Sequence, residues 1–233
     1  MDKNEFIENL KKLNIDVNDD ILYKLDTYYK MLISYNMHTN LTRITDEKEV
    51  YLKHFYDSLT IIKTVNLNNQ TLLDIGTGAG FPGLVLKIVF PKLKVTLLDS
   101  LNKRILFLKD VIEELGLNDI GVIHARAEEY ANDHREKFDI VTSRAVANLN
   151  VLCELCIPYI KVGGNFISMK SNAFDEIKSA EKSIKTLGCV IKETVIFELP
   201  KEKSKRTLIN IQKVQETDVK YPRKFSEIKK KPL

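Results

Sequence analysis

The stretch from Thr71 to Gly83, TLLDIGTGAGFPG, sets the tightest limit on what this 233-residue chain can fold into. Leu72, Leu73 and Ile75 make an apolar run too short for a helix, and Gly76, Gly78 and Gly80 follow at every second position. Such a turn lets backbone come within contact distance of a ligand where a Cβ would collide. Pro82 suits the first turn of a helix, since the N–H it lacks would have no partner there. A strand, a glycine turn and a helix start place a ligand at the carboxyl edge of a parallel sheet.

The pattern around this stretch supports that architecture. Before it, Phe6, Ile7, Leu10 and Leu13, then Ile21, Leu22, Leu25, Tyr29, Leu32 and Ile33, repeat at helical spacing and predict two amphipathic helices. The polar run 36–42 breaks the pattern, and a further helix is expected over 46–64. After it, strands over 71–75, 94–98, 120–124, 138–142 and 166–169 alternate with helices over 82–90, from about 102 to Gly116, 149–157 and 174–187. Ser100 or Asn102 is the expected cap of the second of these helices, and Gly163-Gly164 the turn before the fifth strand. Two β-rich runs, 190–197 and 207–212, have no helix between them and must pair antiparallel. The fold class is therefore α/β, a Rossmann-like doubly wound sheet. Its expected parts are a helical segment over 1–65 packed on the main domain, the Rossmann-like domain over 66–215, and a basic tail over 216–233.

Composition removes several classes of function. No apolar run approaches the roughly 20 residues that span a bilayer. The N-terminus, MDKNEFIENL, lacks the basic start and apolar stretch of a secretory signal, so a cytoplasmic location is expected. Three cysteines do not make a disulfide framework. Cys153 and Cys156 form a CxxC, but with only the distant Cys189 to add, four ligands cannot be assembled, so no metal is expected. The pair is assigned to the apolar side of the helix through Leu149, Leu152 and Ile157. The net charge of +4 resides in residues 218–233, where Lys220, Arg223, Lys224, Lys229, Lys230 and Lys231 face only Asp218 and Glu227. A neutral body with a basic tail suits a polyanionic partner, since lysine and arginine release counterions from phosphate; a merely solubilising tail is the alternative.

Two ligands compete for the glycine turn. Gly78, Gly80 and Gly83 satisfy G-x-G-x-x-G, with Asp99 near the distance of a ribose-binding acid, so a nicotinamide-dependent oxidoreductase is one reading. S-adenosylmethionine is the other, because it carries an amino acid and a sulfonium but no pyrophosphate. Asp74, at the end of the strand, would order the turn or hold the ligand's ammonium, and would be unwelcome beside phosphate. Asp74 tips the choice toward the methyl donor. Asp99 can accept from both ribose hydroxyls, or it can cap the next helix. Ala127 and Glu128 follow the third strand, where a small residue admits an adenine ring and a backbone N–H can bond it. Thr142, Ser143, Arg144 and Ala145 end the fourth strand at the mouth where the methyl would face its acceptor. An arginine at such an edge must find a partner for its charge.

These residues together resemble a known family. Gly76-Thr77-Gly78-Ala79-Gly80-Phe81-Pro82-Gly83, Leu97-Leu98-Asp99-Ser100, Lys103-Arg104, Phe107-Leu108 and Ser143-Arg144-Ala145 are similar to motifs of the bacterial small-subunit rRNA guanine-N7 methyltransferases, formerly called glucose-inhibited division protein B. Asn36, Asn40-Leu41-Thr42, His54 and Asp57-Ser58 match its N-terminal segment, and Tyr221-Pro222-Arg223-Lys224 with Lys231-Pro232-Leu233 match its tail. The chain departs from the family pattern at Tyr35, where tryptophan is usual, and at Ser171, where glycine is usual. The resemblance implies a class I S-adenosylmethionine-dependent methyltransferase that modifies N7 of a guanine, guanosine 527 of 16S rRNA. It implies donor contacts at Gly76, Phe81, Ala127, Glu128 and Arg144. The expected partner is 16S rRNA or the small ribosomal subunit, with no membrane, and the expected state is a monomer. A non-catalytic RNA-binding protein on the same fold is a further alternative.

The chemistry agrees with what is present. Guanine N7 has an exposed lone pair and no proton, so methyl transfer needs alignment more than a strong base. Methylators of exocyclic amines carry an Asn-Pro-Pro-Tyr-like run after the fourth strand, and here Ser-Arg-Ala-Val-Ala stands there. Arg144 is the candidate positioning group. Lys170, Arg223, Lys224, Lys229, Lys230 and Lys231 are the candidate RNA contacts, with Lys170 equally readable as a solvated strand-end lysine.

Overall fold

Side-chain caps start the helices that precede the sheet in the computed structural model, which describes residues 1–144 and 147–233. Helix α1 (Lys3–Lys12) opens with a capping box, in which Asp2 accepts from the Glu5 N–H at 3.0 Å and Glu5 from the Asp2 N–H at 2.8 Å. Asn18 caps α2 (Asp19–Thr39) through the Ile21 N–H at 2.9 Å. The polar run 36–42 does not break α2 where its composition suggests. The helix continues to Thr39 and stops at Asn40, a residue that tolerates the left-handed conformation it adopts there (φ +49). The Asn36 side chain then holds the exit by accepting from the Thr42 N–H at 2.8 Å. Helix α3, over 47–63, is continuous but not uniform, with a π-helical turn at Tyr51–Tyr56 and a 3-10 turn at Thr60–Lys63. π-Turns rotate the side chains that follow them and recur at functional sites.

Among the described residues the sheet has seven strands. β1 (Thr71–Ile75), β2 (Lys94–Asp99), β3 (Ile120–His124), β4 (Phe138–Arg144) and β5 (Ile160–Lys170) run parallel in the order β3-β2-β1-β4-β5. β7 (Lys205–Lys213) pairs antiparallel with both β5 and β6 (Cys189–Glu198), so the last two strands pair as their missing helix requires. β4 extends two residues further than its apolar run and ends on Arg144. Gly163-Gly164 is not a turn before β5. Both glycines lie within the strand, where the register against β4 shifts, and a Cβ on Gly164 would sit 2.7 Å from the Asp139 carbonyl.

Alternate strand residues feed two cores. On one face Leu72, Val95 and Leu97 pack with α4 (Gly83–Val89), α5 (Asn102–Glu114) and the N-terminal helices, which share this core through Phe6, Leu25, Tyr28 and Phe55. On the other, Leu73, Leu98 and Val141 pack with α6 (Ala127–His134), α7 (Leu149–Cys156), α8 (Phe174–Thr186) and α9 (Phe225–Lys230). Cys153 and Cys156 are fully buried free thiols in this second core, and burial pushes both well above an ordinary thiol. α6 has no strong apolar stripe and is not evident in the sequence pattern. Among the described residues no helix is long and apolar enough to cross a membrane.

Candidate active site

The glycine turn takes its shape from two buried carboxylates. Asp74, fully buried at the end of β1, accepts from the Thr77 hydroxyl at 2.7 Å and from the Gly83 N–H at 2.8 Å, tying the turn to the start of α4. Burial raises its pKa to about 6, with the two hydrogen bonds pulling the other way. Asp99, at the end of β2, accepts from the Gly78 N–H at 2.9 Å, from Arg104 Nη1 at 3.0 Å and, through its other oxygen, from the Leu101 N–H at 2.9 Å. That last bond fixes the turn that leads into α5. The N-cap residue is Leu101, with no side chain capping the first turn, in place of Ser100 or Asn102. Gly76 and Gly78 have φ of +69 and +62, which only glycine adopts without strain.

A cavity of about 540 Å³ lies against this turn at the carboxyl ends of the strands. Gly76, Gly78, Phe81, Asp99, Ala127, Glu128 and Arg144 all line it. Asp74 and Gly80 do not. Asp74 works from beneath, as an organiser of the turn, and its second oxygen is buried without a partner. Gly80 is needed for packing: a Cβ there would lie 2.7 Å from the Tyr28 hydroxyl and 2.9 Å from Leu84 Cβ. In a dinucleotide fingerprint the second glycine must admit a pyrophosphate. Here that position faces inward, so the G-x-G-x-x-G match is formal only. Gly83 serves close helix-to-strand approach, its Cβ position falling 2.5 Å from a Leu97 methyl.

Arg144 closes the opposite wall. Its Nη1 donates to the Lys53 carbonyl at 2.9 Å and contacts Asp57 at 3.3 Å, while Nη2 donates to His54 Nδ1 at 3.1 Å. The guanidinium lies 5.1 Å from the Phe81 ring centroid, and the His54 ring stacks on Phe81 at 4.3 Å. Arginine only donates, so His54 Nδ1 must be the acceptor and the ring proton must sit on Nε2, which bonds the Thr42 hydroxyl at 2.9 Å. Burial first, and the Arg144 charge second, pull the His54 pKa from 6.5 down to about 3. An unfolded chain takes up this proton below pH 6.5 and the fold refuses it until about pH 3. His54 therefore contributes stability that is complete above pH 6.5 and lost as pH falls toward 3. Asp74 acts with opposite sign between its ordinary value and about 6, so wild-type unfolding alone blends the two. The stability gap between wild type and His54→Asn should narrow as pH falls from 6.5, and urea melts at successive pH values would show it.

Sequence reasoning gave no role to His54, Asp57, Arg104 or Arg206. The first three stood among the residues of the resemblance; Arg206, whose Nε reaches Asp57 at 3.0 Å, left no signal because it lies 149 residues away along the chain. The expected RNA contacts divide. Lys170 forms an ion pair with Glu176 at 2.8 Å and donates to the Ala147 carbonyl, so its ammonium is held within the protein. Arg223 grips the buried Glu154 through Nε at 2.8 Å and Nη2 at 2.6 Å and is a structural anchor. Lys224, Lys229, Lys230 and Lys231 are exposed. The tail is thus no free extension, and Phe225 within it lines the cavity. Ala145 lies outside the described residues.

A doubly wound sheet with strand order β3-β2-β1-β4-β5-β7-β6 and a cavity at the β1 glycine turn defines the class I methyltransferase fold. A SAM dependent methyltransferase from Aquifex aeolicus shares that fold with a TM-score of 0.54 at 15% identity, over 74% of this chain and 96% of its own. Residues 21–208 match the family model described as rRNA small subunit methyltransferase G. Proteins called ribosomal RNA small subunit methyltransferase G from Lachnoclostridium phytofermentans and Lactobacillus acidophilus are 50% and 46% identical, over 98% and 100% of their lengths and all of this chain. The chain belongs to the rRNA small subunit methyltransferase G family.

Proposed function

We propose that the protein transfers a methyl group from S-adenosylmethionine to N7 of a guanine, guanosine 527, in 16S rRNA of the small ribosomal subunit. It would act as a cytoplasmic monomer without a metal. The observation that carries the donor assignment is the cavity itself, whose walls suit that molecule group by group. Asp99 keeps a lone pair on the oxygen that bonds only the Leu101 N–H, suited to a ribose hydroxyl. Arg104 Nε is buried beside it with no partner. Ala127 presents a small side chain where a flat ring must approach, and two of the arginines that line the cavity are already held by protein acceptors, Arg104 by Asp99 and Arg144 by Lys53, His54 and Asp57.

When bound, the donor supplies a methyl on sulfonium sulfur; transfer forms the N7–carbon bond, breaks the sulfur–carbon bond, leaves a neutral thioether and moves no proton. The protein's part is alignment. A neutral His54 and an Arg144 fixed by three of its five N–H donors form a rigid wall that keeps donors to spare for the incoming base. Calorimetry with S-adenosylmethionine and NAD side by side tests the donor assignment: binding of the first alone is expected, and binding of NAD alone would defeat it.

Exposed tail lysines supply the electrostatic part of RNA binding in this reading. Removing the tail would also remove Arg223 and Phe225, so substitution is the cleaner test. Replacing Lys229, Lys230 and Lys231 together by alanine should weaken RNA binding and make log K against log salt shallower by roughly two to three. Affinity for the methyl donor should not change. An unaltered salt slope in filter binding would remove these lysines from the interface.

A further inference from the structure

A second cavity, about 270 Å³, opens beside the first and shares His54 and Arg144 with it. Aliphatic side chains of Ile44, Met169 and Leu208 line it, together with the carboxylate of Asp57 and the guanidinium of Arg206. Asp57 directly follows the π-helical turn of α3 and is 5% exposed. One of its oxygens receives Arg206 Nε at 3.0 Å and the other Arg144 Nη1 at 3.3 Å. A carboxylate has about four acceptor positions, so two remain. Lys53 and Lys170 also line the cavity, but their ammonium groups are paired with Glu49 and Glu202 and with Glu176, so a phosphate would meet the Asp57 carboxylate among cations that already have partners.

We propose that this cavity receives the target guanine, turned out of its RNA strand, and that Asp57 reads its N1–H and N2 amino edge. The inference rests on the guanine-N7 reading above and adds the group that selects the base. Around a guanine the order of groups is N7, O6, N1–H and the 2-amino group. From the junction of the two cavities into the second, the order of side chains is Arg144, which both share, and then Asp57, which lines only the second. With N7 at the junction, O6 meets a guanidinium donor and the next two groups meet a carboxylate acceptor. Adenine in the same pose would set its amino group against a donor and a bare N1 lone pair against the carboxylate. The aliphatic walls cover the ring faces, as in other enzymes that act on an extruded base. Methylation leaves a positive charge on the base, and Asp57 is the one carboxylate among the described residues that line this cavity.

The test uses small subunits reconstituted with 16S RNA that carries either guanine or inosine, which lacks only the 2-amino group, at the target position. Single-turnover methyl transfer is measured at saturating S-adenosylmethionine for wild type, Asp57→Asn and Asp57→Ala, with donor affinity by calorimetry and a thermal melt for each. Wild type should prefer guanine by about tenfold, the effect of leaving one acceptor of a buried carboxylate without its hydrogen bond. Both variants should lose that preference with donor affinity retained. If Asp57→Ala fails to fold, the isosteric Asp57→Asn decides, and the wild-type preference needs no variant. Equal rates on guanine and inosine in wild type, or a preference that survives in a folded Asp57 variant, overturns the proposal and leaves the N7 reading intact. Loss of RNA affinity with the base preference kept would assign the cavity to phosphate and also overturn it. No N7-methylguanine from wild type would defeat the underlying reading itself.

Discussion

Arg223→Ala is expected to destabilise the fold by about 3–5 kcal/mol, because it strands a carboxylate in the second core. Glu154 is fully buried on α7, and Arg223 supplies its partners, through Nε, Nη2 and its own backbone N–H at 2.9 Å. An arginine lost from a solvated tail would cost next to nothing, so the size of the effect separates an anchor from an RNA contact. The second replacement sharpens the test. Glu154→Met combined with Arg223→Met removes both charges, and should recover much of the lost stability, since a buried pair exchanged for apolar groups is close to neutral. Because Phe225 follows two residues later and lines the donor cavity, donor affinity should fall with the single change. Denaturant melts of the three variants check it, and a loss below about 1 kcal/mol for Arg223→Ala would mean that Glu154 finds other partners.

Arg144→Ala should lower kcat by about 10²- to 10³-fold, comparable to the removal of one preorganised donor from an active site. The guanidinium joins β4 to α3 by bonds to the Lys53 carbonyl, His54 and Asp57, and lies over Phe81. Without it His54 Nδ1 loses its donor, and Asp57 keeps Arg206 alone. Arg144→Lys should not rescue, because one ammonium cannot reproduce a planar fork that serves three acceptors at once. Single-turnover kinetics with saturating donor isolate the step. Activity close to wild type in the alanine variant would remove Arg144 from the reaction.

Much of the architecture was legible because it follows from local periodicity. The apolar run ending at Asp74, the glycines behind it and the alternation beyond them place a parallel sheet and its ligand edge without tertiary information. The two last strands were forced antiparallel by the absence of a crossover helix. What was not legible depends on contacts distant in sequence. Asp57 and Arg206 meet only because α3 and β7 converge at the end of β4. Gly80 belongs to the glycine turn, as its spacing implies, but its reason is the Tyr28 hydroxyl from the N-terminal helices, not a ligand. Arg223 and Lys170 were counted as charges, and a count cannot see Glu154 or Glu176. α6 was missed because AEEYANDH carries little apolar signal, only Ala127 and Ala131 being buried.

Methyl transfer at a defined atom is the most direct test of the central claim. Small subunits lacking the modification would be incubated with the protein and S-adenosylmethionine carrying a labelled methyl, and their 16S RNA then treated with borohydride and aniline. One labelled guanine that becomes a cleavage site, at position 527, is the predicted result. Label that resists cleavage, or no label at all, would contradict it.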